Sequence, residues 1–342
     1  MSKSKIEWTD AVWNPITGCT KISEGCRNCY AERMSKRLAG RCGYPIDNPF
    51  KVTLHPDKLE KPLKWKKPRK IFVNSMSDLF HDDVPFEFIE ELFCSMENYD
   101  QHTYMVLTKR PKRMMEFIYW FIRRCSDDSV GREYHIPPHI WLGVSVENQA
   151  TADERIPLLL QTPAAVRFIS AEPLLGLVDL ASPYTTELFN KCAKEDVLYS
   201  RLEPEIINTD SQTGYTDSSY DEKLPGIHWV IVGGESGPGA RPMHPDWVRS
   251  LRDQCTTANV PFFFKQWGEW VPYRPSTSGF AFLDGPTLPE RCTNHHRLHE
   301  GWEFNNHEEF PKWMAALRIG KKKAGRELDG RTWDEKPGVI HV

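Results

Sequence analysis

Three thiols stand out by spacing. Cys19, Cys26 and Cys29 form a C-x6-C-x2-C pattern within Gly18–Ala31, and Tyr30 follows the third directly. Cys26 and Cys29 are close enough in sequence to share one metal centre, and Gly18 and Gly25 let the backbone wrap around it. Three thiolates are one short of a closed zinc tetrahedron and of a fully cysteine-ligated iron–sulfur cluster. On a [4Fe–4S] cluster, three cysteines leave one iron without a protein ligand, where a small molecule could be bound and reduced. A structural zinc knuckle would need a fourth ligand from Cys42, Cys94, Cys125, Cys192, Cys255, Cys292 or one of the twelve histidines. None of these cysteines sits in a second C-x2-C pair, and the third reading is that the three thiols bind nothing.

Other polar residues follow apolar runs and read as the tips of strands. They are Ser75, Ser77 and Asp78; Thr108 and Lys109; Ser145 and Glu147; Glu172; Glu235 and Ser236; Lys265 and Gln266. Each alone fits a strand-end cap. Together they describe a polar cavity of both signs around a metal. Buried carboxylates such as Glu172 or Glu235 need cationic partners, for which Lys109 and Lys265 are at hand, and they also suit an ammonium group on a ligand. Residues 58–70 are the richest local basic run, with Lys64, Lys66, Lys67 and Arg69 around Trp65. Such a run is either a solvated loop or a phosphate-binding surface with an aromatic ring to stack on a base.

The elements that must position these residues follow from hydrophobic patterning. Residues 6–17 alternate around Ile6, Trp8 and Val12 and read as a first strand, with a helix from Tyr30 to Leu38 beyond the cysteines. Apolar runs at 71–74, 104–107, 140–146, 166–170, 228–232 and 261–264 read as further strands, and helix-compatible stretches near 85–98, 111–124, 147–160 and 245–258 lie between several of them. Runs of this kind are the mark of parallel strands buried on both faces. No glycine-rich nucleotide loop follows any strand. Polar tips at so many strand ends favour a barrel over a doubly wound sheet. The expected fold is therefore α/β, a partial TIM-like barrel over residues 1–270 with an insertion at about 182–226. An irregular C-terminal extension, 271–342, would pack on it. Within that extension Leu328–Asp329–Gly330–Arg331–Thr332–Trp333 reads as a packed hook anchored by Trp333.

Composition narrows the class. The 342 residues are 39% hydrophobic and 12% aromatic, enough for a sizeable core, and their net charge is −3. Any nucleic-acid contact must then come from a local patch. No apolar run approaches the ~20 residues that span a bilayer. Residues 1–5 lead into no signal-peptide core, and nine cysteines without a disulfide-scaffold pattern fit a reducing cytoplasm.

The cysteine triplet after a first strand, with an aromatic residue beside its last member and repeated βα units behind it, resembles the radical S-adenosylmethionine (SAM) superfamily. The usual spacing there is C-x3-C-x2-C. Asn74–Asp78, Thr108–Arg110 and Gly143–Ser145 look like strand ends of the spore photoproduct lyase branch. Trp8–Asp10, Trp13–Pro15, the triplet, Ser170–Leu174, Gly233–Ser236 and Leu328–Arg331 resemble more closely a phage-associated "three-Cys-motif" family of unassigned reaction. The resemblance implies a (βα)6-type partial barrel and a [4Fe–4S] cluster on Cys19, Cys26 and Cys29, with SAM on the open iron. The superfamily's Gly-Gly-Glu motif normally follows the second strand. Here Ser75–Asp78 takes that place, so Ser75, Ser77 and Asp78, and then Glu235, are the expected SAM contacts. Lys109, Glu172, Lys265 and the basic run with Trp65 are the expected substrate contacts. The substrate is expected to be a nucleobase or nucleic acid, and an electron donor is required. Two readings compete: a non-enzymatic metal-knuckle protein that binds nucleic acid through 58–70 and 321–326, and a radical enzyme acting on a peptide or small metabolite.

Overall fold

The computed structural model describes residues 4, 6–126, 134–180, 226–276, 279–282 and 315–338. The expected insertion therefore lies outside the described residues, except for Gly226. The strands are β1 (Ala11–Trp13), β2 (Ile16–Thr17), β3 (Thr53–Leu54), β4 (Lys70–Val73), β5 (Thr103–Thr108), β6 (Ile140–Ser145), β7 (Val166–Ala171), β8 (Trp229–Gly233) and β9 (Phe262–Gln266). Helices α1 (Tyr30–Leu38), α2 (Phe86–Asn98), α3 (Pro111–Cys125), α4 (Gln149–Gln161) and α5 (Pro245–Thr257) lie between them.

Seven strands form one parallel sheet in the order β1-β4-β5-β6-β7-β8-β9. The order never reverses, so the sheet is singly wound, and it curls into a half barrel. Its outer strands β1 and β9 do not pair among the described residues. The first strand is shorter than the alternation of 6–17 suggested. Asn14–Pro15 interrupts it, because proline supplies no ladder donor, and β2 turns away to pair with β3.

Side chains alternate across the sheet and sort into two clusters. Ile71, Val73, Tyr104, Val106, Leu142, Val144 and Ile169 pack against α2, α3, α4 and α5 in the main core. The opposite face carries Met105, Trp141, Val166, Phe168, Trp229, Ile231 and Phe263, with Trp8 and no helix. Trp141, Val166, Trp229 and Phe263 are first or second residues of their strands, so this cluster fills the N-terminal half of the concave face. Trp8 lies 6.1 Å from Trp229 and closes the aromatic plug from the β1 side. The C-terminal half of that face holds smaller or polar residues: Gly143, Ser145, Ser170, Gly233 and Lys265.

The C-terminal segment covers the β9 edge. The Phe264 amide donates to the Trp333 carbonyl at 3.0 Å, and Phe263 bridges Asp334 antiparallel. A covered edge removes a template for pairing with other chains. The expected hook is a hairpin of β13 (Glu327–Leu328) and β14 (Arg331–Thr332), reached after the antiparallel strands β10 (Trp270–Ser276), β11 (Gly279–Phe282) and β12 (Ala315–Arg318). Both turn residues, Asp329 and Gly330, have positive φ, as a tight hairpin turn requires. Leu328 is its fully buried anchor. Trp333 is only partly buried, packed on Phe262.

His244 caps α5, its Nδ1 accepting the Asp246 amide at 3.1 Å. Burial first, with Arg249, pushes the imidazole from the ordinary 6.5 down to about 4, against the pull of Asp246. Above pH 6.5 neither folded nor unfolded chain protonates this ring. As pH falls from 6.5 toward 4 the unfolded chain takes a proton that the folded one refuses, so stability declines across that window. The full loss is on the order of 3 kcal/mol at 1.36 kcal/mol per unit, of which about 2 kcal/mol is reached by pH 5. Urea midpoints at pH 7.5 and pH 5 should show it. His244→Asn keeps a capping acceptor that cannot titrate, and should lose much less; equal losses in parent and variant would rule this out.

Candidate metal and ligand site

Strand direction places every polar tip on one rim, and the cysteine loop lies across it. Gly18 bridges Ser77 beyond β4, and its amide donates to the Met76 carbonyl at 3.0 Å. Its φ of +85° suits glycine, and a Cβ there would fall 2.1 Å from the Lys51 carbonyl oxygen. At the β5 end Arg110 donates to Thr20 Oγ1 at 2.7 Å and reaches Cys19 Sγ at 3.8 Å. At the β6 end Ser23 Oγ donates to Glu147 Oε1 at 2.9 Å. Gly25 rests on the same carboxylate, where a Cβ would come within 2.4 Å. Beyond β8, Arg241 donates to Glu24 Oε1 at 2.9 Å, Asn28 to the Gly239 carbonyl at 2.7 Å, and Arg33 to the Ser236 and Pro238 carbonyls. The loop is thus strapped from the first strand to the sixth.

Helix α1 departs from the expected first βα step. Its apolar residues Ala31, Met34 and Leu38 make a narrow stripe, too small to cover a sheet. It packs with Met76, Tyr44 and Phe50 in a cluster of its own at the rim and does not join the outer helix layer.

Cys19, Cys26 and Cys29 are free and partly exposed. Burial, then Asp78, pushes the Cys19 thiol up to about 11, opposed by Arg110. Burial also acts on Cys26, but hydrogen bonds from Ile22 and Ser23 and the nearby Lys109 charge hold it below the ordinary range. His81 is occupied: its Nδ1 accepts the Asp83 amide and its Nε2 lies 2.8 Å from Thr20 Oγ1. His135 and His139 have H-x3-H spacing, yet they precede β6 at the opposite end of the sheet, where His139 Nε2 bonds the Met96 carbonyl at 3.0 Å. Among the described cysteines Cys94 is exposed on α2 and Cys255 alone is buried. Cys192 and Cys292 lie outside the described residues. Among the described residues no group of three or more His, Cys, Asp or Glu is arranged to hold a single metal ion.

The predicted tips are brought to one rim, but several are committed to the protein. Asp78 Oδ1 accepts Thr108 Oγ1 at 2.7 Å and the Phe80 amide at 3.0 Å; Oδ2 accepts the Lys109 amide at 3.0 Å, and Arg110 lies 3.6 Å away. With both oxygens filled and only 6% exposure, Asp78 is a strut between the β4 and β5 ends and not an open ammonium partner. Ser77 Oγ donates to the Ile16 carbonyl at 3.0 Å. Glu235 receives the Arg241 amide and guanidinium at 2.8–2.9 Å; those bonds hold it below the usual carboxylate range against the opposing effect of burial. Glu172 takes Lys265 Nζ at 2.7 Å on both oxygens, and Gln266 Nε2 at 3.3 Å. Ser75 donates to Asn14 Oδ1 at 3.3 Å. Tyr30 leaves 47% of its surface in solvent. Its hydroxyl end is crowded against Ser75 and within reach of Lys265 and Glu172, and burial there pushes the phenol up. Asn74 Nδ2 and Gln266 Oε1 are buried with no partner.

The basic run is elsewhere. Lys70 opens β4, and the His102 ring at the start of β5 bonds the Pro62 carbonyl at 3.2 Å. Lys64, Lys66 and Lys67 are therefore exposed at the N-terminal end of the sheet, opposite the cysteines. Trp65 is no surface platform. It is 5% exposed, packed on His102, with Lys61 and Arg69 over its ring at 5.7 and 5.6 Å. Even within so basic a run the indole gains more from the core than from water, and its flanking cations remain outside.

The straps were not legible in the sequence. Arg110, Arg155 and Arg241 hold the loop and its carboxylates, and each looks like any surface arginine. The one usable signal was the turn-rich Gly237–Pro238–Gly239 stretch before Arg241, where both glycines have positive φ.

Fold and site together define an open, singly wound α/β half barrel with a three-cysteine loop strapped across the C-terminal ends of its strands. Over residues 3–337 the chain matches the model of the DUF5131 family, described as a protein of unknown function, and it belongs to that family. No curated protein and no solved structure matches it. No helix of the described residues is long and apolar enough to cross a membrane.

Proposed function

We propose that this protein is an iron–sulfur enzyme of the radical SAM type that acts on a nucleobase or nucleic acid. The observation that carries the reading is the loop itself: three unpaired, partly exposed thiols over the C-terminal mouth of an open parallel sheet. The donor set fits an iron–sulfur cube better than a single ion. A zinc tetrahedron needs four donors converging on one point, about 2.3 Å from each sulfur, and no such convergence exists among the described residues. In a cube each thiolate takes a different iron, so the sulfurs stand apart.

Cys19, Cys26 and Cys29 would hold the cluster. With SAM bound it would supply one-electron reductive cleavage to methionine and a 5′-deoxyadenosyl radical, drawing on an external electron donor. The chain's own residues set the surroundings. Arg110 beside Cys19 and Lys109 near Cys26 offset thiolate charge in a half-buried loop. Asp78 and Glu147 fix those two cations in turn. Ser75 borders the mouth and remains a candidate SAM contact; Glu235 would serve as one only by giving up Arg241, which now holds both its oxygens, and Glu172 and Lys265 stand on the substrate side. A partial (βα)6-type TIM-like barrel is the finer fold that the open half barrel supports.

Anaerobic reconstitution with iron and sulfide should give a brown protein with about four irons per chain. Under strong reductant it should convert SAM to 5′-deoxyadenosine and methionine. A colourless protein that retains zinc instead would sink the reading.

A further inference from the structure

Residues 20–51 carry seven Lys and Arg against three Asp and Glu, in a chain whose net charge is −3. The cysteine loop, α1 and the loop after it are therefore locally cationic in a chain of net negative charge, as is the run at 58–70 at the opposite end of the sheet. Some of these cations are used internally. Lys21 and Lys36 pair with Glu32 at 2.8 and 3.1 Å, and Arg33 is strapped to the β8 loop. Arg27, Arg37, Arg41 and Lys51 are exposed, and none enters an ion pair among the described residues.

These four lie along the segment that carries the cysteines and α1. Arg27 lies between Cys26 and Cys29, and Lys51 follows Phe50, whose carbonyl accepts the Cys19 amide at 3.1 Å. Tyr30, Arg33 and Arg37 share one face of α1 by their spacing, and Arg41 follows the helix. Tyr30, nearly half exposed, is the aromatic ring among them. Below, the concave face offers neutral hydrogen-bonding groups that the protein leaves unused. Asn74 Nδ2 and Gln266 Oε1 are buried orphans. Ser145 and Ser170 are register partners on β6 and β7, 4% and 2% exposed, and neither hydroxyl has a partner among the described residues.

We propose that this rim binds single-stranded nucleic acid: phosphates on Arg27, Arg37, Arg41 and Lys51, one base on Tyr30, and the polar concave face as the acceptor for a base edge. An acidic protein would satisfy the arginines but brings no flat, neutral, hydrogen-bonding group to the orphaned amides and hydroxyls. Cations with an interleaved aromatic are the pattern of single-strand binding. The inference deepens the proposed function by locating its substrate, and it rests on that reading only for the fate of the base; the binding itself needs no cluster.

The test uses full-length, metal-free protein and fluorescent 12-nucleotide single strands of DNA and of RNA, followed by anisotropy at 50–200 mM salt. Wild type should bind at low salt, and the two arms tell which sugar is accepted. R27Q/R37Q/R41Q/K51Q should flatten the log–log salt dependence by about 3 units, at ~0.7 per contact, and weaken binding at least tenfold. Tyr30→Ala should weaken it about tenfold and Tyr30→Phe should restore it, because stacking needs the ring alone. K64Q/K66Q/K67Q, at the far end of the sheet, should bind as wild type. No binding to either strand at 50 mM salt overturns the proposal. So does loss of binding in the far-end triple variant with none in the rim quadruple variant, or capture of an acidic redox protein by the rim in place of nucleic acid. Protein that binds the strands yet never takes up iron would sink the cofactor reading and support this one.

Discussion

Replacing Cys19, Cys26 or Cys29 with alanine is expected to abolish iron and sulfide retention, whereas Cys42→Ala, Cys94→Ala and Cys255→Ala keep it. Cys255 is buried on α5, where desolvation pushes its thiol up to about 12, and such a thiol is a poor ligand. Cys94 is exposed on α2, away from the rim. Cys42 is the instructive control, since it is exposed in the loop after α1. Loss of iron in Cys42→Ala would mean a fourth protein ligand, and the open iron would go with it. The triplet variants should still fold. Ser23, Glu24, Asn28 and Arg33 tie the loop and α1 to β6 and β8 without any metal, so the unfolding midpoint should shift little while the iron count falls to background. Iron retained in any one triplet variant removes the central claim.

Much of the fold could be read from the chain because parallel strands buried on both faces are nearly unbroken apolar runs. Ile140–Ser145 and Val166–Ala171 are buried at every position, and their ends fell within a residue of expectation. The rim was legible for the same reason, since polar residues that follow such runs have nowhere else to go. Pairing was not legible. Asp78 and Glu172 look alike in sequence, yet one is saturated by Thr108, Lys109 and Arg110 and the other faces Lys265. Partners 30 to more than 90 residues apart leave no local trace. Trp65 misled for a related reason: a tryptophan amid lysines reads as exposed until His102 and Pro62 are brought over it. Helix α1 has the right period, and only the width of its apolar stripe shows that it cannot join the outer layer.

Glu147→Ala is expected to be the most damaging single change away from the cysteines, costing about 3–5 kcal/mol. The carboxylate is fully buried, 3.1 Å from Arg155 and 3.2 Å from Lys109. Truncation would leave the Arg155 charge, itself 1% exposed, without its counter-ion. Lys109, Arg155 and the Ser23 hydroxyl hold Glu147 below the usual carboxylate range, against the opposing push of burial. Its contribution is therefore present at neutral pH and lost only as pH falls below the ordinary carboxylate value. Glu147→Gln keeps the shape and a hydrogen-bond acceptor for Ser23, and should cost less than Glu147→Ala. Adding Arg155→Met to Glu147→Gln should recover part of the loss, because the stranded charge is then gone. Ser23→Ala alone should cost only about 1 kcal/mol, yet loosen the loop that carries Cys26. Urea midpoints for the four variants decide the matter. If Glu147→Ala lies within 1 kcal/mol of the parent, the carboxylate is not the joint between sheet and cysteine loop, and the straps at Gly18, Arg110, Asn28, Arg33 and Arg241 carry that loop.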